Sequence, residues 1–551
     1  MPVRIPSDQH ETVVSVLREA ARVNGDVEAY VEPDVGAGRR SLTFAEWDRA
    51  AEGVAGHLAR LGVAKGDVVC LLLPSSLDYA VLYGGLLRLG AITSGINPRM
   101  GAGEVASIVD RAAPVLLVVD PEAGGHLDAG TLEAVARAET RQWWDEEGPD
   151  SVPQLASSDP VAVVWTSGTT GRPKGALFDH ANLAAVARGT DVLSHPGDRR
   201  LSPLPFAHVG YMTRAWDEIG NAVTTIITPT PWRADEAVRV MADEQVTVAQ
   251  GVPTQWALML ASDALARSDL RSLRVAGTGA ARMTASMVAE VRSRFGVPVV
   301  VRYTSTESSL GTGTTLTSTD EEVATTVGRP VAGVELAIVD DEGEPVPAGT
   351  VGRVLLRSAA AMRGYWGRGP GRGRAAADLV DATATAVVLG RDGWLTTGDF
   401  GRLTPEGNLQ LSGRAHERYI RGGYNVYPAE VEETLSSHAA VARVAVVGVP
   451  DEVLGEVGVA VVVAAAGEPP DLASLRAHCA RELSDYKAPD ALVLVDELPL
   501  TPMMKVDPVR IGALAARGAE ERRRGLERSR RPGAGVLGNG STREEDEKER
   551  A

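Results

Sequence analysis

The feature that most constrains this chain is an alternation, from about residue 43 to 330, of short uninterrupted apolar runs with amphipathic stretches. LTFAEWDRAAEGVAGHLARLG places apolar residues at helical spacing, VVCLLLP follows as a continuous apolar run, and LDYAVLYGGLLRLG and VLLVVD repeat the pattern. VAVVW, TTIIT and VPVVV are later runs of the same kind. A strand covered by helices on both faces has no polar side to show, so such runs predict parallel strands with helical crossovers, that is, α/β with doubly wound sheets. A chain of 551 residues also exceeds what one core serves. From 331 to 413 the rhythm changes to short strands parted by turns (VELAIVDDEGEPV, GRVLLRS, GNLQLSG), predicting a smaller antiparallel unit. Its Gly/Ala/Arg-rich stretch 367–390 reads as a surface loop. Residues 414–516 read as a separate small α+β unit. The charged end, 517–551, lacks apolar content and is expected to be a disordered or weakly helical tail.

Charge excludes one class of partner. With Asp and Glu exceeding Lys and Arg by 17, the chain lacks the clustered positive surface that a nucleic-acid binder needs. No apolar run of about 18 residues occurs, so no membrane insertion is expected, and a cytoplasmic location is. Cys70 and Cys479, far apart and without ligand-like neighbours, read as structural thiols. Only five of the 56 basic residues are lysines: Lys65, Lys174, Lys487, Lys505 and Lys548. A chain that uses arginine wherever charge alone suffices marks its lysines as places where a compact ammonium on a flexible stem is wanted.

After the run VAVVW comes Thr166-Ser-Gly-Thr-Thr-Gly-Arg-Pro-Lys-Gly175. Hydroxyls, glycines and one lysine directly after a strand suit a backbone cradle for phosphate oxygens, though the string is not a standard P-loop and alone could be a polar surface turn. Tyr303-Thr-Ser-Thr-Glu307 follows the run VPVVV; a carboxylate there suits a hard divalent cation, and a bare Thr-Glu pair also suits a helix cap. Asp399, in Thr397-Gly-Asp, could accept two hydrogen bonds from a vicinal diol, or simply sit in a turn.

Taken in order, these strings resemble the motifs of the adenylate-forming superfamily, which includes acyl- and aryl-CoA synthetases, firefly luciferase and nonribosomal adenylation domains. The resemblance spans about residues 40–510. It implies a large N-terminal adenylation domain (1–413) with a β-barrel-like part, and a small mobile C-terminal domain (414–516). It further implies that Thr166, Ser167, Gly168, Thr169, Thr170, Gly171 and Lys174 hold the ATP phosphates, and that Gly279, Ala280 and Ala281 line the adenine and acyl pockets. Tyr303 and Thr304 would lie against the nucleotide, with Thr306 at the α-phosphate and Glu307 on Mg2+. Asp399 and Arg414 would take the ribose. His208, in Pro-Leu-Pro-Phe-Ala-His, matches the position between nucleotide and acyl pockets. Glu417 stands at the hinge, Gly422, Gly423 and Tyr424 match the loop that forms the pantetheine tunnel, and Lys505, in Leu498-Pro-Leu-Thr-Pro-Met-Met-Lys, matches the catalytic lysine. Thr304 and Met504 replace glycines of the family pattern, and Pro508 stands where a basic residue is frequent.

The expected activity is an acid–thiol ligase acting on a hydrophobic (fatty, alicyclic or aryl) carboxylate, with ATP, Mg2+ and coenzyme A. Tyr486-Lys-Ala-Pro489 resembles a pattern of acyl-CoA synthetases and favours coenzyme A as acceptor. A carrier-protein acceptor, a homodimer, and a nucleotide-binding homologue without turnover remain open. No aspartate closely follows the Pro-Leu-Pro-Phe segment, as one would in an enzyme that holds an α-ammonium; Asp217 and Glu218 come later, beside Trp216.

Overall fold

Val68–Leu72 is buried at every position. Its side chains alternate between two cores, Val69 and Leu71 on one face and Val68, Cys70 and Leu72 on the other, while a parallel strand flanks each edge, Ile92–Ile96 and Leu116–Val119, with Val69 opposite Thr93 and Leu116. This computed structural model describes residues 2–530 apart from 125–132, 167–172, 191, 368, 370–375, 415–418, 422–423, 452–453, 482, 484 and 502–504. Two units divide the chain: Met1–His416 with Leu500–Val506, and Glu417–Pro499 with Asp507–Ala551.

The first unit holds two large sheets. One has the order Gly364–Tyr365, Lys174–Asp179, Pro160–Thr166, Ile92–Ile96, Val68–Leu72, Leu116–Val119, Ala134–Ala136, parallel from Pro160–Thr166 onward. The other runs Val299–Tyr303, Val275–Gly279, Val248–Gly251, Arg199–Ser202, Thr224–Ile227, Glu28–Glu32 as a parallel core with antiparallel edges. The helices Phe44–Arg60 and Leu77–Leu89 lie where the sequence places them; the first opens with a Thr43/Glu46 capping box, the second ends at Gly90 in the left-handed region. The smaller antiparallel sheet has the order Val334–Val339, Gly352–Ser358, Leu395–Leu403, Leu409–Arg414. Within the stretch read as a surface loop, 367–390, the described part instead forms the turns Ala376–Leu379 and Ala382–Ala386, with Leu379 buried. Helical turns of four or five residues are too short to leave a periodic pattern in the sequence.

In the second unit, Gly455–Ala464 pairs with Val441–Asp451, Tyr419–Arg421 and Ala491–Leu494. Its side chains alternate between two cores. Ala460 and Val462 meet Val431, Leu435 and Leu475 on one face, while Val459 and Val461 meet Ile511, Ala515 and Ala519 on the other. The last three lie on the helix Pro508–Arg530, so the tail expected from 517 onward is corrected: residues up to 530 are helical, and Ala519 is buried. An Ile/Ala stripe at four-residue spacing is enough to dock a helix whose other faces are charged. Pro508 opens that helix and Asp507 caps it, accepting from the Val509 and Arg510 amides.

Gly448 and Gly458 face each other across this ladder, beneath the fully buried Tyr419 ring. A Cβ on Gly448 would stand 2.2 Å from the Tyr419 Cβ, which no rotamer change can relieve. Gly448→Ala is therefore expected to destabilise the second unit by about 3 kcal/mol, as overpacking of a rigid contact does. Calorimetry of the full chain would show one transition lowered and the other in place; unchanged melting would contradict it.

Candidate active site

In open α/β sheets, ligand groups gather beyond the carboxyl ends of the strands. Thr166, Gly279 and Tyr303 each end a strand, and His208 follows the end of Arg199–Ser202 by six residues. Thr166 pairs with Lys174 across the antiparallel hairpin that the phosphate string closes. Ser167, Gly168, Thr169, Thr170 and Gly171 lie outside the described residues, so the hairpin's flanks are what the structure supplies.

The Lys174 ammonium lies 5.1 Å from the centroid of the Tyr365 ring. The Tyr365 hydroxyl donates to Glu307 Oε1 at 2.7 Å. Burial, with the Glu307 carboxylate next, pushes the Tyr365 phenol far above its ordinary value, so it remains a donor. Tyr365 was not among the residues singled out from sequence. Its signal was the string Arg363-Gly-Tyr-Trp366, midway through the stretch 331–413, which carries no polar cluster to draw notice.

Tyr303 donates its hydroxyl to Asp399 Oδ2 at 2.5 Å, joining residues from the nine-stranded sheet and the small antiparallel one. Asp399 follows Gly398, whose φ of +79° turns the chain so that the Asp399 amide donates to Thr397 Oγ1. The described backbone of Arg414 pairs with Asp399. Thr304 sits exposed, without a left-handed backbone, and its hydroxyl donates to the Ser305 carbonyl; the glycine it replaces is not required by the local φ. Thr306 is partly buried just before Glu307. Gly279 abuts Arg302 on the neighbouring strand, where a Cβ would lie 2.7 Å from the Arg302 carbonyl oxygen. Ala280 and Ala281 follow, exposed, with Ala280 held at φ +68°.

His208 Nδ1 accepts from the Gly210 amide at 3.0 Å, which leaves the proton of the neutral ring on Nε2. Burial, and then the Lys505 ammonium, push its pKa down to about 4, so the imidazole is uncharged at pH 7. Lys505 belongs to the segment Leu500–Val506 of the first unit; it is exposed, Leu500 bridges Val506, and the Thr501 amide donates to the Lys505 carbonyl at 2.7 Å. Met504 lies outside the described residues, as do Glu417, Gly422 and Gly423, and of Tyr424 the backbone alone is described, in the strand Tyr424–Val426. Lys487 is accounted for otherwise: its ammonium holds the Glu430 carboxylate at 2.7 Å. Cys70 and Cys479 are both buried.

Among the described residues, no group of three or more His, Cys, Asp or Glu side chains is placed to hold a metal ion. A cation at Glu307 would need most of its oxygens from phosphate and water, which is how Mg2+ is ordinarily bound beside a nucleotide. Among the same residues no helix is long and apolar enough to cross a membrane.

The model of the AMP-binding enzyme family matches residues 17–366, and that of the AMP-binding enzyme C-terminal domain matches 430–505. The chain belongs to this family of adenylate-forming enzymes. It is 33% identical over 494 residues to an indoleacetate–CoA ligase of Aromatoleum aromaticum, covering 87% of this chain and 94% of the relative. It is 31% identical over 507 residues to a long-chain-fatty-acid–CoA ligase of Mycobacterium tuberculosis, covering 89% and 96%. Among solved structures, the anthranilate–CoA ligase AuaEII in complex with anthranoyl-AMP superposes with a TM-score of 0.81 at 26% identity, covering 93% of this chain and 99% of that one.

Proposed function

We propose that this protein is an AMP-forming carboxylate–CoA ligase whose acid is hydrophobic: fatty, alicyclic or aryl. The observation that carries the reading is convergence. Lys174, Tyr303, Glu307, Tyr365 and Asp399, scattered over more than two hundred residues, meet in two groups: Tyr303 hydrogen-bonded to Asp399, and Tyr365 hydrogen-bonded to Glu307 with the Lys174 ammonium over its ring.

In the first half-reaction the substrate carboxylate attacks the α-phosphorus of ATP and pyrophosphate leaves. Lys174 and the backbone of 166–171 hold the departing phosphates, and Asp399 takes the ribose hydroxyls while Tyr303 lies against the base. Lys505 steers the carboxylate and offsets charge at the α-phosphate, assisted by Thr306. Glu307 would hold Mg2+, which supplies neutralising charge to the triphosphate. His208, neutral, borders the acyl group without adding charge to an apolar pocket. In the second half-reaction the coenzyme A thiol attacks the acyl adenylate and AMP leaves; Glu417 is read as the hinge and Gly422, Gly423 and Tyr424 as the pantetheine loop. We place the enzyme in the cytoplasm, where ATP and coenzyme A are supplied and buried thiols such as Cys70 and Cys479 stay reduced.

The test is to incubate the protein with ATP, Mg2+, coenzyme A and a pooled set of fatty, alicyclic and aryl acids, and to read products by mass. Acyl-CoA with stoichiometric AMP is the expected result. Acyl-AMP that accumulates despite coenzyme A would replace the acceptor by a carrier protein, and the absence of ATP–pyrophosphate exchange with every acid would overturn the reading.

A further inference from the structure

Tyr365 occupies a two-residue strand, Gly364–Tyr365, on the edge of Lys174–Asp179, with Tyr365 opposite Ala176. Its backbone is fixed on both sides: its amide donates to Thr385 Oγ1 at 2.9 Å and its carbonyl accepts from the Asp381 amide at 2.7 Å. The Trp366 amide donates to the Gly175 carbonyl at 2.6 Å, locking the pair of strands beside Lys174. The side chain is buried, with 4% exposure. From this fixed point the ring face lies under the Lys174 ammonium and the hydroxyl donates to the Glu307 carboxylate. The Glu307 backbone is also anchored, its carbonyl accepting from the Met362 amide at 2.8 Å.

Opposite charges set close together would pair with each other, and a Lys174–Glu307 ion pair would occupy the groups that a triphosphate and its cation need. A tyrosine gives each charge a weaker, directional partner: a ring quadrupole for the ammonium and a single neutral donor for one carboxylate oxygen. Among the described residues, the hydrogen bond that the Glu307 side chain accepts is the one from Tyr365, at Oε1, and the other carboxylate oxygen is the one offered to a cation.

We infer that Tyr365 is a positioning residue, holding Glu307 and Lys174 ready and apart for a divalent cation and the pyrophosphate end of ATP. The inference rests on the proposed function and names a residue that the sequence motifs do not.

The experiment compares the full-length protein with Tyr365→Phe, Tyr365→Leu and, as references, Glu307→Gln and Lys174→Ala. Mn2+ binding to the complex with α,β-methylene-ATP is read by electron paramagnetic resonance, and binding of metal-free α,β-methylene-ATP by calorimetry. Tyr365→Phe keeps the ring and is expected to weaken Mn2+ about tenfold, the usual effect of removing a hydrogen bond that orients a metal ligand, with metal-free affinity unchanged. Tyr365→Leu removes both contacts and is expected to weaken the metal-free nucleotide as well. Equal loss of both affinities in Tyr365→Phe would mean general loosening and would overturn the inference. Wild-type Mn2+ affinity in Tyr365→Phe while Glu307→Gln loses it would overturn the inference alone. If Glu307→Gln also binds Mn2+ as the wild type does, the metal role of Glu307 falls and the inference with it.

Discussion

Lys505→Ala is expected to lower carboxylate-dependent ATP–pyrophosphate exchange by a factor of about 10²–10³, the range seen when one preorganised charge or donor is removed from a developing anion. Two anionic groups, the carboxylate and the α-phosphate, must approach before the new bond forms, and His208 contributes no charge there because its pKa lies near 4. The Lys505 charge reaches the His208 ring and helps to lower its pKa. An arginine cannot substitute fully, since a planar guanidinium presents its charge in a fixed fork on a longer arm. Lys505→Arg is thus expected to recover a minor part of the exchange rate. Thioester formation from a supplied acyl adenylate does not pass through that charged encounter and should persist in both variants. Exchange at the wild-type rate in Lys505→Ala would remove Lys505 from the chemistry.

Much of this could be read before any coordinates. Strands such as Val68–Leu72 announce themselves because burial on both faces demands an unbroken apolar run, and the phosphate, tyrosine–glutamate and Thr-Gly-Asp strings are local enough to survive as text. What escaped depends on contacts between distant residues. Tyr365 lies 58 positions from the carboxylate it holds, on a strand too short for any periodicity. The helix beyond residue 517 was hidden because its docking stripe ends in alanines, which add packing surface but little hydropathy among so many charges. Lys487 drew notice as a rare lysine, and what its ammonium meets is Glu430.

The second large effect concerns Asp217, whose late position in the sequence argued against a substrate ammonium. The side chain is fully buried, and it accepts from Thr190 Oγ1 and Ser194 Oγ at 2.6 Å, Arg214 Nη2 at 2.9 Å and Asn221 Nδ2 at 3.0 Å. Arg200 stands 3.6 Å away and pairs more closely with Glu218, at 2.9 Å. Burial by itself would raise the Asp217 carboxyl, but Arg214, Arg200 and the two hydroxyls hold it below the usual carboxylate range. Asp217→Asn keeps the shape and removes the charge, leaving Arg214 buried without its carboxylate. The first unit is expected to lose about 3 kcal/mol, as when one partner of a buried pair is deleted. The sign of the pH dependence follows. With its folded pKa depressed, Asp217 contributes fully above its unfolded value, near 4, and the contribution is lost as pH falls through the folded value. Urea midpoints should therefore separate the two proteins most at neutral pH and draw them together in acid. Because every acceptor position of Asp217 is taken within the protein, it has none to offer an α-ammonium. The rank order of acids accepted by the folded variant should match the wild type, whereas gain or loss of α-amino acids as substrates would show that Asp217 faces the acyl pocket after all.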